Sequence, residues 1–326
     1  MIFVIAEHRD NRLKPITFEL LVFAQRLGRD FSQPITAVVL GVNTAAIADE
    51  LKTKKIDRVI TAEHASLAEY NPDSYVEVLK AIFAKEKPFA VLIGHTTQGM
   101  DFAPRLAVGL RRPLIAGCVE YENQAGRLIL TRQIFNAKMN MRTSPKGEAP
   151  CLATASPGAF PADEVEAGGN AEVVSFPVER IAAPRRKVIE RVEAPKGKAD
   201  LTSAPIIVSG GRGLKQKENF NVIFELAEAV GGSVGASRPV VDAEWLPREY
   251  QIGSSGQTVS PRLYFAVGIS GAVQHLVGMQ TSRCIVAINK DAEAPIFKIA
   301  HYGIVDDLFK VLPALTKIFR DLRQAS

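Results

Sequence analysis

The chain has 326 residues, 47% hydrophobic and 23% charged, which suits a folded protein long enough for two domains. Forty basic residues against 35 acidic give a mild net charge of +5 spread along the chain, which disfavours nucleic-acid binding. Several features together suit a chain that is not membrane-embedded and works in a reducing compartment: no apolar run nears the roughly 18 residues needed to cross a bilayer, the start MIFVIAEH lacks the pattern of a signal peptide, and Cys118, Cys151 and Cys284 have no metal spacing.

In chain order, residues 1–6 read as a strand and 16–27 as a helix with Leu20, Phe23, Ala24 and Leu27 on one stripe. Strands follow at 35–40, 58–61 and 89–93, separated by helices at 44–51 and 72–84, the second with Asp73 in its first turn. The run Gly94-His95-Thr96-Thr97-Gln98-Gly99 then leads into a helix at 101–110. This alternation points to a mostly parallel α/β layer structure. From Cys118 the pattern changes. VEYENQAGRLILTRQIF reads as two strands joined at Gly126, and CLATASPGAF and AEVVSFPV add strand-like pieces; we expect an antiparallel extension that finishes the first domain. Residues 180–203 are rich in charge, Pro and Ala and read as a connector, with a basic cluster at Arg185, Arg186 and Lys187.

The alternation then restarts, with a strand at 205–208 ending in SGGRGLK and a helix at 220–230 capped by Gly231-Gly232. Two further strands lie at 263–267 and 284–288, followed by a helical region at 306–323 in which Pro313 is expected to break or kink the helix or to begin its second half. The fold class expected is α/β, two domains, each a mostly parallel sheet flanked by helices.

The chemistry is expected in the second part. After strand 263–267 come Gly268-Ile269-Ser270-Gly271-Ala272 and a helical reading over 273–279, where small residues let the backbone approach a ligand and a helix start offers N–H groups to a phosphate. Small residues in such a turn also serve tight packing. The strand exits of this part gather Arg212, Ser237, Arg238, Gln251, Ser254, Ser255, Ser270, His275, Asn289 and Asp307, and convergence of such exits at one sheet edge makes a pocket. Arg212 and Arg238, each beside small residues, can reach anionic groups. The sequence holds no HExxH, CxxC, P-loop or G-x-S-x-G, and Gly211-Arg212-Gly213 lacks the third glycine of the dinucleotide fingerprint. The residues alone therefore reach as far as a two-domain α/β protein with a dinucleotide pocket in its second domain.

At these same residues the sequence resembles the alpha subunit of electron transfer flavoproteins. The blocks VSGGRGLK, VGASRPVVDAEW, QIGSSGQTVSP, YFAVGISGAVQHLVGM, VAINKDAEAPIF and YGIVDDLFKVLP follow in the family's order across residues 205–315, and GHTTQGMDFAPRLAVGL resembles the first domain more loosely. The resemblance implies an adenine-nucleotide-hydrolase-like partner-contacting domain over 1–185, a linker over 186–203 and a Rossmann-like FAD-binding domain over 204–326. It implies a heterodimer with a beta subunit that itself holds AMP. Its electrons come from flavin dehydrogenases, such as those acting on acyl-CoA in fatty acid beta-oxidation, and leave toward a quinone oxidoreductase. The setting implied is cytoplasmic and bacterial, and the chain is a carrier without substrate turnover of its own.

Carried over by residue, Arg212, Ser237 and Arg238 match FAD contacts, with Arg238 beside the flavin ring. Gln251, Ile252, Gly253, Ser254 and Ser255 match the loop at flavin N5; Ser255 stands where many members have threonine, and Ser254 where they have glutamine. Ser270, Gly271, Ala272, Val273, Gln274 and His275 match the phosphate and pyrimidine side, Asn289 the adenosine side, and Asp307 and Leu308 the adenine end. A guanidinium near the ring and a donor at N5 would favour an anionic flavin semiquinone, and hence one-electron steps. His301 replaces a common aspartate. Three other readings stay open: an NADH-linked bifurcating relative, an NAD-binding oxidoreductase, and a nucleotide-binding module built on the first domain. The last would rest on Gly94–Gly99, which follows a strand and precedes a helix; the resemblance implies that this site is generally empty in the alpha subunit, so the run is read instead as packing or partner contact.

Overall fold

Residues 2–5 are all apolar and all buried, and so read as a central strand of a parallel sheet, covered on both faces. In the structure, a computed structural model, this is β1 (Ile2–Ile5). The structure describes residues 1–324 apart from 136–138, 148, 179–180, 183, 191–200 and 203. Most of the expected 186–203 linker thus lies outside the described residues. The chain divides into two units, Met1–Val192 and Glu193–Ser326.

In the first unit a small hairpin, β2 (His8–Arg9) and β3 (Arg12–Leu13), follows β1. Then come α1 (Pro15–Phe31), β4 (Ile35–Gly41), α2 (Ala45–Lys52), β5 (Arg58–Glu63), α3 (Pro72–Glu86), β6 (Ala90–Gly94) and α4 (Thr97–Leu110). The unit is completed by β7 (Leu114–Gln124), β8 (Arg127–Ile134), β9 (Met139–Thr143), β10 (Cys151–Ala155) and β11 (Glu172–Ser175). Their order in the sheet is β11-β5-β4-β1-β6-β10-β7-β8-β9. Period-2 alternation divides the core: Ile2 and Val4 face α1 and α2, whereas Phe3 and Ile5 face α3 and α4.

Two expectations need correction here. Helix α4 begins at Thr97, not Asp101, because the Thr96 hydroxyl accepts from Gly99 N–H at 3.1 Å and so makes a polar loop reading into an N-cap. The antiparallel extension is real for β7, β8 and β9. β10, by contrast, inserts parallel between β6 and β7, and β11 pairs parallel with β5 at the far edge. The fully buried run CLATA is the mark of a central strand, whereas which strands it joins is a long-range property.

The second unit contains β12 (Ile206–Gly210), α5 (Asn221–Val230), β13 (Ser233–Ser237), α6 (Arg238–Asp242), β14 (Gln251–Ile252) and β15 (Leu263–Val267). It ends with α7 (Val273–Leu276), β16 (Ile285–Asn289), β17 (Tyr302–Val305) and α8 (Leu308–Gln324). Its six strands are all parallel, in the order β14-β13-β12-β15-β16-β17. α8 runs on through Pro313, with Leu308 and Leu312 buried against the core under α5; that packing outweighs the one backbone bond proline removes. The fold class is α/β, with large, mostly parallel sheets flanked by helices.

One buried carboxylate makes the first unit pH-sensitive. Glu19 of α1, 8% exposed, accepts from Gly158 N–H at 2.6 Å and so ties α1 to the loop after β10. Burial raises its pKa from 4.5 to about 7, against the lowering effect of the Gly158 and Phe160 N–H groups. A carboxyl whose folded-state pKa is raised contributes fully at low pH, and that contribution is lost as pH rises through about 7. Urea unfolding of the first unit should weaken by up to about 3 kcal/mol between pH 5 and pH 8. In Glu19→Gln, which keeps an acceptor for Gly158, this pH slope should disappear; an unchanged slope would place its origin elsewhere.

Candidate functional site

Because all six strands of the second unit run the same way, their carboxyl ends lie along one edge. Counted along this unit, the sheet order is 3-2-1-4-5-6, so the order reverses between β12 and β15, where ligands of open parallel sheets bind. Every residue of the expected cofactor-binding set falls at this edge. Arg212 follows β12, Ser237 ends β13 with Arg238 directly after it, and Gln251–Ser255 form and follow β14. The run 270–275 follows β15, Asn289 ends β16, and Asp307–Leu308 follow β17.

At the reversal point two loops meet backbone to backbone. Gly211 N–H donates to Val267 O at 2.8 Å, and Gly213 N–H donates to Gly268 O at 3.0 Å. A Cβ on Gly211 would collide with the Gly268 carbonyl, and Gly268 itself has φ +60°, with Gly213 Cα only 2.9 Å from where its Cβ would stand. The glycines therefore serve close packing and, at the same place, leave a rim without side chains. α7 is a single turn, Val273–Leu276, shorter than the expected 273–279; residues 277–281 go on as turns, with Gly278 close against the Gly253 backbone.

The side chains along the rim fall into two groups. Arg212 is exposed and has no hydrogen-bond or ion-pair partner among the described residues. Arg238, the first residue of α6, donates from Nε to Asp242 at 3.2 Å, with both side chains about three-fifths exposed, so the pair is weak and easily exchanged. Ser254 and Ser255 are exposed; Gln251, buried, donates to Ser255 Oγ at 2.9 Å, which leaves the Ser255 proton to point outward. Ser270 is exposed, and its carbonyl accepts from Ile296 N–H at 3.0 Å.

The other group holds the loops together. Asn289 Nδ2 donates to Ile269 O at 3.0 Å, and its Oδ1 accepts from Asp291 N–H, leaving one amide hydrogen uncommitted. Asp307 caps α8 through Phe309 N–H at 2.9 Å, and Leu308 is buried. His275 is buried, its Nδ1 3.1 Å from Ile252 O and its Nε2 2.9 Å from the Tyr264 hydroxyl. A carbonyl can only accept, so Nδ1–H donates to Ile252 and Nε2 accepts from Tyr264, which fixes the neutral tautomer and pins the 251–256 loop to α7. Burial lowers the His275 pKa from 6.5 to about 4.

The sequence reading missed Tyr264 and Asp242. A lone tyrosine in the buried strand LYFAV was the available signal for the first, and an acid four residues after Arg238 for the second. His301 lies away from the rim. Its Nδ1 accepts from Ile285 N–H at 3.0 Å, at the start of β16 and therefore at the opposite edge of the sheet. Among the described residues no group of His, Cys, Asp and Glu could hold a metal, and no helix is long and apolar enough to cross a membrane.

The electron transfer flavoprotein domain family matches residues 2–181, and the electron transfer flavoprotein FAD-binding domain family matches residues 200–280. The electron transfer flavoprotein subunit alpha of Bacillus subtilis is 40% identical over 324 residues, covering 98% of each chain. The chain belongs to the electron transfer flavoprotein alpha subunit family. It is also similar to subunit LctC of the lactate dehydrogenase (NAD(+),ferredoxin) of Acetobacterium woodii, 36% identical over 96% of this chain and 75% of that protein. A solved structure of a putative thiamin diphosphate-dependent enzyme from Mycobacterium smegmatis covers 92% of this chain and 54% of its own at 14% identity and a TM-score of 0.25, too remote to bear on function.

Membership in this family makes two residues of the rim worth testing for fold. Gly268→Ala forces a left-handed side chain into a filled space and should cost the second unit about 1–2 kcal/mol in urea unfolding. His275, whose folded-state pKa is depressed, contributes stability present above about pH 6.5 and lost as pH falls toward about 4. Acid unfolding of the second unit followed by far-UV circular dichroism should therefore begin below pH 6.5 and lose that onset in His275→Gln.

Proposed function

We propose that the chain carries one FAD along the carboxyl edge of its second unit and works as the alpha subunit of a heterodimer. In this reading the partner beta subunit holds an AMP. The carrier takes electrons from flavin dehydrogenases, such as those of acyl-CoA oxidation, passes them to a quinone reductase or another acceptor in one-electron steps, and has no substrate turnover of its own. The observation that carries this reading is the gathering of six parallel strand ends at one edge, with two free or loosely held guanidiniums and a glycine-lined rim at the point where the strand order reverses.

The residues present fit such a group. The turns that meet at Gly211 and Gly268 fill the space between them, and the bare rim beside that contact, with Arg212 and the 270–274 turn, would take the pyrophosphate. Arg238 would swing from Asp242 to the flavin ring, while Ser237 lies buried at the end of β13. Ser255, oriented by Gln251, would donate toward flavin N5, and Ser254 would border it. The free hydrogen of Asn289 would meet the adenosine side, and Asp307 with Leu308 would bound the adenine end. His275 acts through its grip on the 251–256 loop. Bound FAD supplies the capacity to take up and release electrons singly; the protein supplies position and a positive field near the ring.

A second reading, a bifurcating subunit, is favoured by the similarity to a lactate dehydrogenase subunit whose name includes both NAD(+) and ferredoxin. Co-expression with its beta-type partner should give a yellow complex with one extractable FAD per alpha chain; a colourless complex that stays colourless with added FAD would end the proposal. A second FAD per complex, reducible by NADH, would select the bifurcating reading. Arg238→Ala should retain FAD but lower the first one-electron potential of the flavin by about 1 kcal/mol, roughly 40 mV. A potential that does not move would take Arg238 away from the ring.

A further inference from the structure

The first unit has a reversal point of its own. Counted from the amino end, its parallel strands β5-β4-β1-β6 lie in the order 3-2-1-4, so the chain leaves β1 and β6 in opposite directions. The exits there are Ala6-Glu7 and Gly94-His95-Thr96, the second opening the 14-residue α4. In an open parallel sheet such a place, against a helix N-terminus, suits an anion.

Here an anion belonging to the protein is already present. Glu7 is 5% exposed. Its Oε2 accepts from the Thr96 hydroxyl at 2.6 Å, the same hydroxyl that caps Gly99 N–H at the start of α4. Its Oε1 accepts from Lys14 Nζ at 2.7 Å. The main chain of Glu7 is pinned as well, since its N–H donates to Thr17 Oγ1 and its carbonyl accepts that hydroxyl, each at 2.8 Å. Gly94 lies directly beneath: a Cβ there would stand 2.7 Å from Ile16 Cγ1 and 3.5 Å from Glu7 Oε2. The carboxylate therefore fills the space over the strand end, with a hydroxyl and an ammonium already turned toward it.

The second unit differs at the matching position. Glu7 is the second residue after β1, the first strand of its sheet; Arg212 is the second residue after β12, the first strand of the other. One exit carries a buried anion, the other an exposed cation. We propose that Glu7 is the residue that decides nucleotide specificity between the two crevices: a built-in carboxylate that occupies the phosphate position of the first unit and leaves only the second unit open to a nucleotide. A phosphate brought to within a few ångströms of Glu7 would meet a carboxylate of low solvent exposure, would find the one Thr96 hydroxyl proton already given to Glu7, and would have to compete with that carboxylate for Lys14.

The test uses the full chain and two variants, Glu7→Ser, which removes both charge and bulk, and Glu7→Gln, which keeps the shape and an acceptor for Thr96. Binding of AMP, and separately of inorganic phosphate, is measured by equilibrium dialysis, and folding is checked by circular dichroism. The readout is the difference from the unmodified chain, so it does not depend on whether the second crevice holds a flavin. At least one folded variant should bind AMP or phosphate roughly tenfold or more tightly than the unmodified chain. A gain for phosphate alone would mark a bare anion site, and a gain for AMP an adenylate site; either supports the assignment. If both folded variants bind no better than the unmodified chain, or if the unmodified chain already fills a site of this kind in its first unit, the assignment is wrong.

Discussion

The second unit depends on the close meeting of two backbone turns, Gly210–Leu214 and Gly268–Gly271, where β12 and β15 part. Two hydrogen bonds, from Gly211 to Val267 and from Gly213 to Gly268, bring main chain against main chain at a distance that side chains would prevent. Everything at the rim is arranged around that contact. It sets the neighbouring strand ends side by side, leaves bare backbone at the rim, and has exposed Arg212 on one flank and exposed Ser270 on the other.

The remaining loops are fastened by polar side chains whose own bonding is nearly complete. Asn289 joins the exit of β16 to Ile269, His275 joins α7 to the end of β14, and Gln251 orients Ser255. Such bonds fix these loops relative to one another, and loops fixed beforehand lower the ordering cost of binding. The two arginines are the exceptions: Arg212 has no partner among the described residues, and Arg238 is held only by an exposed neighbour one helical turn away.

The two units reuse one sheet pattern with opposite electrostatics. In each, the strand order reverses beside the first strand, and the second residue after that strand meets the crevice. The first unit places a buried carboxylate there, matched by Lys14 and Thr96, and the second an arginine without a partner among the described residues. On the proposal made for Glu7, it is charge rather than shape that distinguishes the two reversal points.

Much of this was legible in the chain itself. Strand–helix alternation, the buried runs IFVI, VLIG and LYFAV, and the small and polar residues after each strand of the second unit depend on local periodicity and composition, which one sequence displays. The polar exits at Arg212, Ser237, Ser255, Ser270, Asn289 and Asp307 could be named for the same reason. Tertiary structure alone decided which strands are neighbours: that CLATA enters parallel beside β6, that Tyr264 lies under His275, that His301 works at the opposite edge from the crevice, and that Glu7 meets Thr96 across 89 positions of chain. Periodicity assigns a residue to a face of its own element. Which partner waits on that face depends on chain crossings and long-range pairing, and those are settled only when the sheets assemble.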